Sequence, residues 1–175
     1  MTTKHSQHLT DIAKYLNVPL GKISKNDQLY ARISNNKKTI GILNIIFSLV
    51  KDSKSNLGGL EITEEALIHQ WLEFGIIYAS DGNSKQNNQT LLKNLNNILT
   101  TKTYLVGQRL TIADVFLYYS LLNIMETLPN FEKENYINVS RWFDNIQQDP
   151  SLRQNYNLID FSTIYLSNGL GKHRV

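Results

Sequence analysis

The stretch from Tyr104 to Tyr119 constrains the fold more than any other part of the chain. It reads Tyr-Leu-Val-Gly-Gln-Arg-Leu-Thr-Ile-Ala-Asp-Val-Phe-Leu-Tyr-Tyr. Thr111 stands where a helix N-cap belongs, and Asp114 follows three residues later. This is an acidic capping box: the threonine hydroxyl accepts from the N3 amide while the N3 carboxylate reaches back to the N-cap amide. The carboxylate also sits at the positive end of the helix dipole. Leu110 and Val115 are spaced to close as a hydrophobic staple. Beyond the cap, Ile112, Ala113, Val115, Phe116, Leu117, Leu121, Leu122, Ile124 and Met125 leave hardly a polar face. A helix apolar all round belongs at the centre of a domain. Thr111 and Asp114 are therefore expected to be structural, and losing the cap should cost about 0.5–2 kcal/mol.

The rest of the composition sets bounds. A chain of 175 residues holds one compact domain, or a small domain fused to a helical one. Apolar residues make up 41%, enough for a real core, and no run has the length needed to cross a bilayer. The absence of cysteine excludes disulfides, thiolate metal sites and a cysteine nucleophile. Met1 to Ser6 has no apolar segment of the secretory kind, so a cytosolic or nuclear protein is expected. The net charge is only +3. Lys37-Lys38, Lys51/Lys54 and Lys172-His173-Arg174 read as solvated surface, with a weak RNA contact as the minor alternative. His5 and His8 lack a third ligand, read as solvated, and make no metal site.

Along the chain, Leu9, Ile12, Ala13 and Leu16 predict a first helix that ends at Pro19 and Gly21. Residues 28–33 alternate as a strand, Asn35-Asn36 marks a turn, and Lys37-Lys38-Thr39 begins a return strand. Ile40 to Val50 predicts a helix with two apolar stripes. Ile42, Ile45 and Leu49 form one, and Leu43, Ile46, Phe47 and Val50 form the other. One stripe can pack on the hairpin. The other needs the helical domain or a second protein. Asp52 to Gly59 is the best boundary, rich in Gly and Ser. Thr63 is expected to cap a helix running to about Ser80, and Asp81 to Gln89 to form a long polar loop. Leu91, Leu92, Leu95, Ile98 and Leu99 predict an amphipathic helix. After the central helix, Phe131 to Tyr136 reads as a polar connection and Asn138 as the cap of a helix buried through Val139, Trp142, Phe143 and Ile146. Asp149-Pro150 supplies an N-cap and an N1 proline for one more turn. Residues 159–166 are apolar, and 169–175 are expected to fray.

The run Leu105-Val-Gly-x-x-Leu-Thr-Ile-Ala-Asp114 resembles the core of the C-terminal domain of glutathione-transferase-like proteins. Read with Gln70-Trp-Leu-Glu-Phe74, Leu91-Leu-Lys-Asn-Leu-Asn96, Leu117-Tyr-Tyr119, Glu132-Lys-Glu-Asn-Tyr136 and Asn138-Val-Ser-Arg-Trp-Phe143, the likeness narrows. The chain resembles the elongation factor 1 epsilon family, auxiliary proteins of the multi-tRNA-synthetase complex. The resemblance is specific over roughly 60–155 and fades before 55. It implies a glutathione-transferase-like fold: a small, reduced, thioredoxin-like α/β part over 1–55, an all-α helical domain over 60–168, and a flexible tail.

It also implies a non-catalytic assembly subunit without cofactor. The expected partners are the glutathione-transferase-like domains of methionyl- and glutamyl-prolyl-tRNA synthetases. The chemistry of a working transferase is missing from the sequence. The given sequence is expected to open on a helix, with no strand before it to carry a thiol-activating residue, and the nearest candidates, Ser6 and Tyr15, fall inside that helix. Tyr30 stands where the cis-proline would be, and Thr39-Ile40-Gly41 stands where an acidic-Ser pair would hold the γ-glutamyl end. A residual glutathione-dependent enzyme and a tRNA-binding module remain the alternatives. Against the family register, Leu43, Ile46, Phe47 and Val50 are expected to face outward and, with part of the Leu67–Tyr78 helix, to dock on methionyl-tRNA synthetase. Arg141 and Asp144 point off the buried face of their helix at the outer end of the domain. The resemblance makes them a second docking surface, for glutamyl-prolyl-tRNA synthetase.

Overall fold

The computed structural model describes residues 4–26, 29–80 and 85–161. Helix α1 (Lys4–Tyr15) buries Leu9, Ile12 and Ala13, as its spacing requires. Three antiparallel strands follow in the order β1 (Lys22–Asn26), β2 (Leu29–Ser34), β3 (Lys37–Ile40). Asn35 and Asn36 turn the second hairpin with φ of 49° and 59°, the left-handed pair that a two-residue turn matched to strand twist demands. The register sets Ala31 against Ile40 and Ser34 against Lys37. Strand β1 was not anticipated, because Lys22–Asn26 is polar and almost wholly exposed, with no alternation to read.

The sheet has two unlike faces. Tyr30 and Arg32 are buried on the face that meets α1 and helix α2 (Ile42–Ser53), whereas Leu29, Ile33 and Ile40 are exposed. Arg32 is the tie on the inner face. Its Nε donates to Leu20 O at 2.8 Å and its Nη2 to Pro19 O at 2.9 Å. Its Nη1 donates to Ser48 Oγ at 2.8 Å and pairs with Asp52 Oδ2 at 2.7 Å. A buried guanidinium needs such full pairing to offset its desolvation.

A 3₁₀ turn at Asn56–Gly58 leads into the helical part. This comprises α3 (Ile62–Ser80), α4 (Lys85–Ile98), α5 (Ile112–Thr127), α6 (Asn130–Asn135), α7 (Ile137–Gln147) and α8 (Pro150–Arg153). Every residue of α5 from Ile112 to Leu121 is buried, and α1, α3 and α7 surround it. Asp149 accepts from Ser151 N–H at 2.9 Å and caps α8 as its sequence indicates.

Five local expectations are corrected. Helix α3 begins at Ile62, so Thr63 lies inside its first turn and does not cap it; the first helical bond runs from Glu65 N–H to Glu61 O. Lys85 to Gln89 is helical, while residues 81–84 of the expected loop lie outside the described ones. The supposed connection before α7 is α6, whose charged face hid a helical turn. Asn138 sits within α7, and its side chain binds α4 instead of capping, donating to Asn96 O at 3.1 Å. His8 is buried, its ring edge-on to Phe116 and to His5, and so is not solvated. The expected tail at 169–175 lies outside the described residues.

Candidate docking surface

Helix α3 packs on α5 and α4, and its open side mixes polar residues such as Glu65, Gln70 and Glu73 with large apolar ones. Ile68 and Leu72 are buried against α5, and Gly75 brings the two helices closest. A Cβ at Gly75 would lie 2.8 Å from both Leu117 Cδ2 and Phe116 Cε1. On the other side, Ile62 is 85% and Ile77 63% exposed, with Leu60 and Leu67 also open. Trp71, Phe74 and Tyr78 are half-buried and pack ring to ring, at 5.6 and 4.7 Å between centroids. Trp71 and Phe74, with Ile98 of α4, line a groove of about 380 Å³.

The α2 stripe is split by the structure. Ile46 and Val50 are buried, so they do not face outward as expected. The physical reason is that α2 is covered on several sides, by α1, by the sheet, and by the turn at 56–58 leading to α3. Leu43 and Phe47 remain half-buried at the α3 edge. Phe47 stacks on His69 of α3, 4.2 Å between centroids and 19° from parallel. Leu43 lines a cleft of about 310 Å³ with Leu29, Ile42, Ile76 and Ile77.

That cleft also holds Tyr30 and Gly41, two of the positions that the resemblance sets against a transferase's glutathione-binding residues. Its polar side chains are Tyr30, Asn44 and Glu73, among aliphatic walls. Glu73 is the one charged residue among those that line it.

A pair of residues that the sequence did not flag fixes the edge of this surface. Arg109 Nη2 meets Glu64 Oε2 at 2.7 Å, and Arg109 Nη1 donates to Asn56 O at 2.8 Å. Leu60 N–H donates to the same Glu64 oxygen at 2.9 Å. The Leu60 amide, and after it Arg109, hold the Glu64 carboxyl below its ordinary pKa. The 104–110 loop is thereby bound to both ends of the connection into α3. A partner 45 residues away leaves no local spacing to read.

At the second expected surface, Arg141 is exposed but committed. Its Nη2 donates to Leu99 O at 2.6 Å and to Lys102 O at 3.2 Å, covering carbonyls where α4 ends. Asp144 accepts from Gln147 and Gln148 Nε2 at 2.8 and 3.0 Å. The two side chains therefore serve different local tasks.

Thr111 and Asp114 stand as the sequence placed them, with the capping box formed. Asp114 Oδ2 accepts from Thr111 N–H at 3.0 Å and from Thr111 Oγ1 at 2.9 Å. Its other oxygen accepts from Leu105 N–H at 2.9 Å and from Trp142 Nε1 at 3.0 Å. Burial raises the Asp114 pKa even against these donors. With four donors from a loop and two helices, Asp114 is a structural hub.

Comparison with known proteins agrees with this architecture. Residues 64–150 match the family model described as "Nuclear-export cofactor Arc1p". The chain is 43% identical over 129 residues to eukaryotic translation elongation factor 1 epsilon-1 of Mus musculus, covering 73% of this chain and 74% of that protein. The same protein of Homo sapiens is 39% identical over 138 residues, covering 78% and 77%. Among solved structures, a Bombyx mori glutathione transferase superposes with a TM-score of 0.71 at 16% identity, over 94% of this chain and 92% of that one. The glutathione-transferase-like domain of elongation factor 1-gamma from Saccharomyces cerevisiae does so at 0.65 and 17%, over 92% of each. The fold is that of the glutathione transferases, and the chain belongs to the elongation factor 1 epsilon family.

Proposed function

We propose that the protein is a non-catalytic assembly subunit of the multi-tRNA-synthetase complex, working in the cytoplasm with access to the nucleus. It docks on the glutathione-transferase-like domain of methionyl-tRNA synthetase through the outer side of α3 and the adjoining edge of α2. One observation carries this reading: the side of α3 left open by α4 and α5 keeps Ile62, Leu67 and Ile77 exposed, and it adjoins the Phe47–His69 stack at the α2 edge. Large apolar side chains left exposed on one helix face are a mark of protein contact surfaces. The aliphatic cleft at Tyr30 and Gly41 supports the absence of glutathione chemistry. The face of α7 around Arg141 and Asp144 is the second docking surface, for glutamyl-prolyl-tRNA synthetase.

The test uses exposed positions, so that binding separates from folding. The double variant Ile62→Lys, Leu67→Glu should lose the methionyl-synthetase domain in gel filtration while melting like the wild type. Undiminished co-elution would reject the α3 surface. Titration of the glutamyl-prolyl-synthetase domain with wild type and Arg141→Ala tests the second surface, and equal affinities would remove it.

A further inference from the structure

The charge of this chain is strongly asymmetric. Residues 1–54 hold nine of its 18 lysines and arginines but only three of its 15 carboxylates. The fold gathers part of that excess in one place. Lys37 of β3, Lys51 in the last turn of α2 and Lys54 at its C-cap converge on a cleft of about 420 Å³ between the sheet and α2. These are two clusters that read as separate solvated surface in the sequence. The Arg32–Asp52 pair also lines the cleft, already neutralised by its 2.7 Å contact. The remaining lining is the hydroxyls of Ser34, Thr39 and Ser48 and the amide of Asn35. No apolar side chain is among them.

Part of this has a simpler cause. Cations near a helix C-terminus complement its dipole, which accounts for Lys51 and Lys54. It does not account for Lys37, which comes from across the sheet. Nor does it account for three lysines lining a cleft whose one lining carboxylate, Asp52, is already paired with Arg32. Arg32–Asp52 and Arg109–Glu64 are ion pairs of the described residues, and neither involves a lysine. Like charges drawn together repel, and an anion between them relieves the repulsion.

We propose that this cleft binds a compact soluble polyphosphate on a hydroxylated or inorganic scaffold. The three lysines match several phosphate groups, and the hydroxyls and amide match a polyol or further phosphate oxygens. A nucleobase would need an apolar or aromatic wall, and the cleft has none. Nucleic acid backbones are tracked by extended grooves with stacking platforms, whereas here the cations close on one pocket. The site lies apart from the α3 surface and does not depend on the docking reading.

The test is calorimetric titration of the full chain with inositol hexakisphosphate and with inorganic tripolyphosphate at near-physiological salt. Three proteins are compared: wild type, Lys37→Glu/Lys51→Glu and Lys22→Glu/Lys38→Glu. The last makes the same charge change on the opposite face of the sheet, where Lys22 and Lys38 flank exposed Ile33 in register. Binding to the wild type should weaken by about tenfold or more in the cleft variant, since close charge pairs dominate such contacts. It should stay within about twofold in the opposite-face variant, whose charges act only at screened distance. Equal loss in both variants, or no binding to the wild type, would overturn the proposal. So would tighter binding of a single-stranded RNA that is lost in both variants, because that marks a diffuse nucleic-acid surface. The milder Lys37→Gln/Lys51→Gln pair should show an intermediate loss, and circular dichroism melting verifies that each variant is folded.

Discussion

Trp142 donates its indole N–H to Asp114 Oδ1 at 3.0 Å, joining α7 to the capped start of α5 across 28 residues of sequence. The same oxygen receives Leu105 N–H, so one carboxylate orders a loop and two helices. Asp114→Ala should therefore cost more than a helix cap, about 3–5 kcal/mol, because four buried donors lose their acceptor together. Trp142→Phe keeps most of the packing and removes one donor, so a loss of about 1–2 kcal/mol is expected. Urea unfolding of both variants checks the ranking. An Asp114→Ala loss no larger than that of Trp142→Phe would reduce the aspartate to an ordinary cap.

Gly75 should not tolerate a side chain. Both atoms that a Cβ would meet belong to buried residues of α5, which have nowhere to go. Gly75→Val is expected to destabilise by about 1–3 kcal/mol through overpacking, although it leaves the helix pattern unbroken. A shift of the thermal midpoint downward, without loss of helical signal below the transition, would show it.

Arg141 should matter to stability as well as to any partner. Its two bonds cover carbonyls at the end of α4, where a cation is also favoured by the dipole. Because the side chain is exposed, Arg141→Ala is expected to cost about 1 kcal/mol. Faster amide exchange over Leu95–Lys102, with little change in α1, is the signature to look for. No change there would show that these bonds carry nothing.

Alkaline pH should unfold the protein through its buried phenols. Burial pushes the Tyr118 hydroxyl up to about 12. Tyr156 is raised to about 12 as well, first by burial and then by its bond to Asp11. Burial also raises Tyr119, which lies between them and bonds Leu152 O. These groups hold protons in the folded state that the unfolded chain releases near pH 10. Their contribution is complete below that value and is lost as pH climbs toward 12. Phenolate absorbance should therefore fall short of nine tyrosines until the tertiary circular dichroism collapses. Full ionisation before collapse would contradict the burial of these three.

The capping box, the second hairpin and the buried faces of α1, α5 and α7 were legible because each rests on spacing within a few residues. What the sequence hid depends on distance or on weak pattern. The second oxygen of Asp114 finds Trp142 far along the chain, and Arg109 finds Glu64 in the same way. The outward role of Ile46 and Val50 failed because both apolar stripes of a twelve-residue helix can be covered when a sheet, a helix and a turn all reach it. The basic cleft was invisible because β3 and the end of α2 become neighbours only after the hairpin folds back.

The close approach at Gly75 bears on kinetics too. With no side chain between them, α3 rests directly on the rings and methyls of α5, and its open side is held by the core beneath. A partner arriving there meets a surface that is already shaped, so little ordering entropy is lost on contact. Encounter should then proceed at the ordinary rate for rigid patches, and substitutions on this face should act on how long the complex lasts.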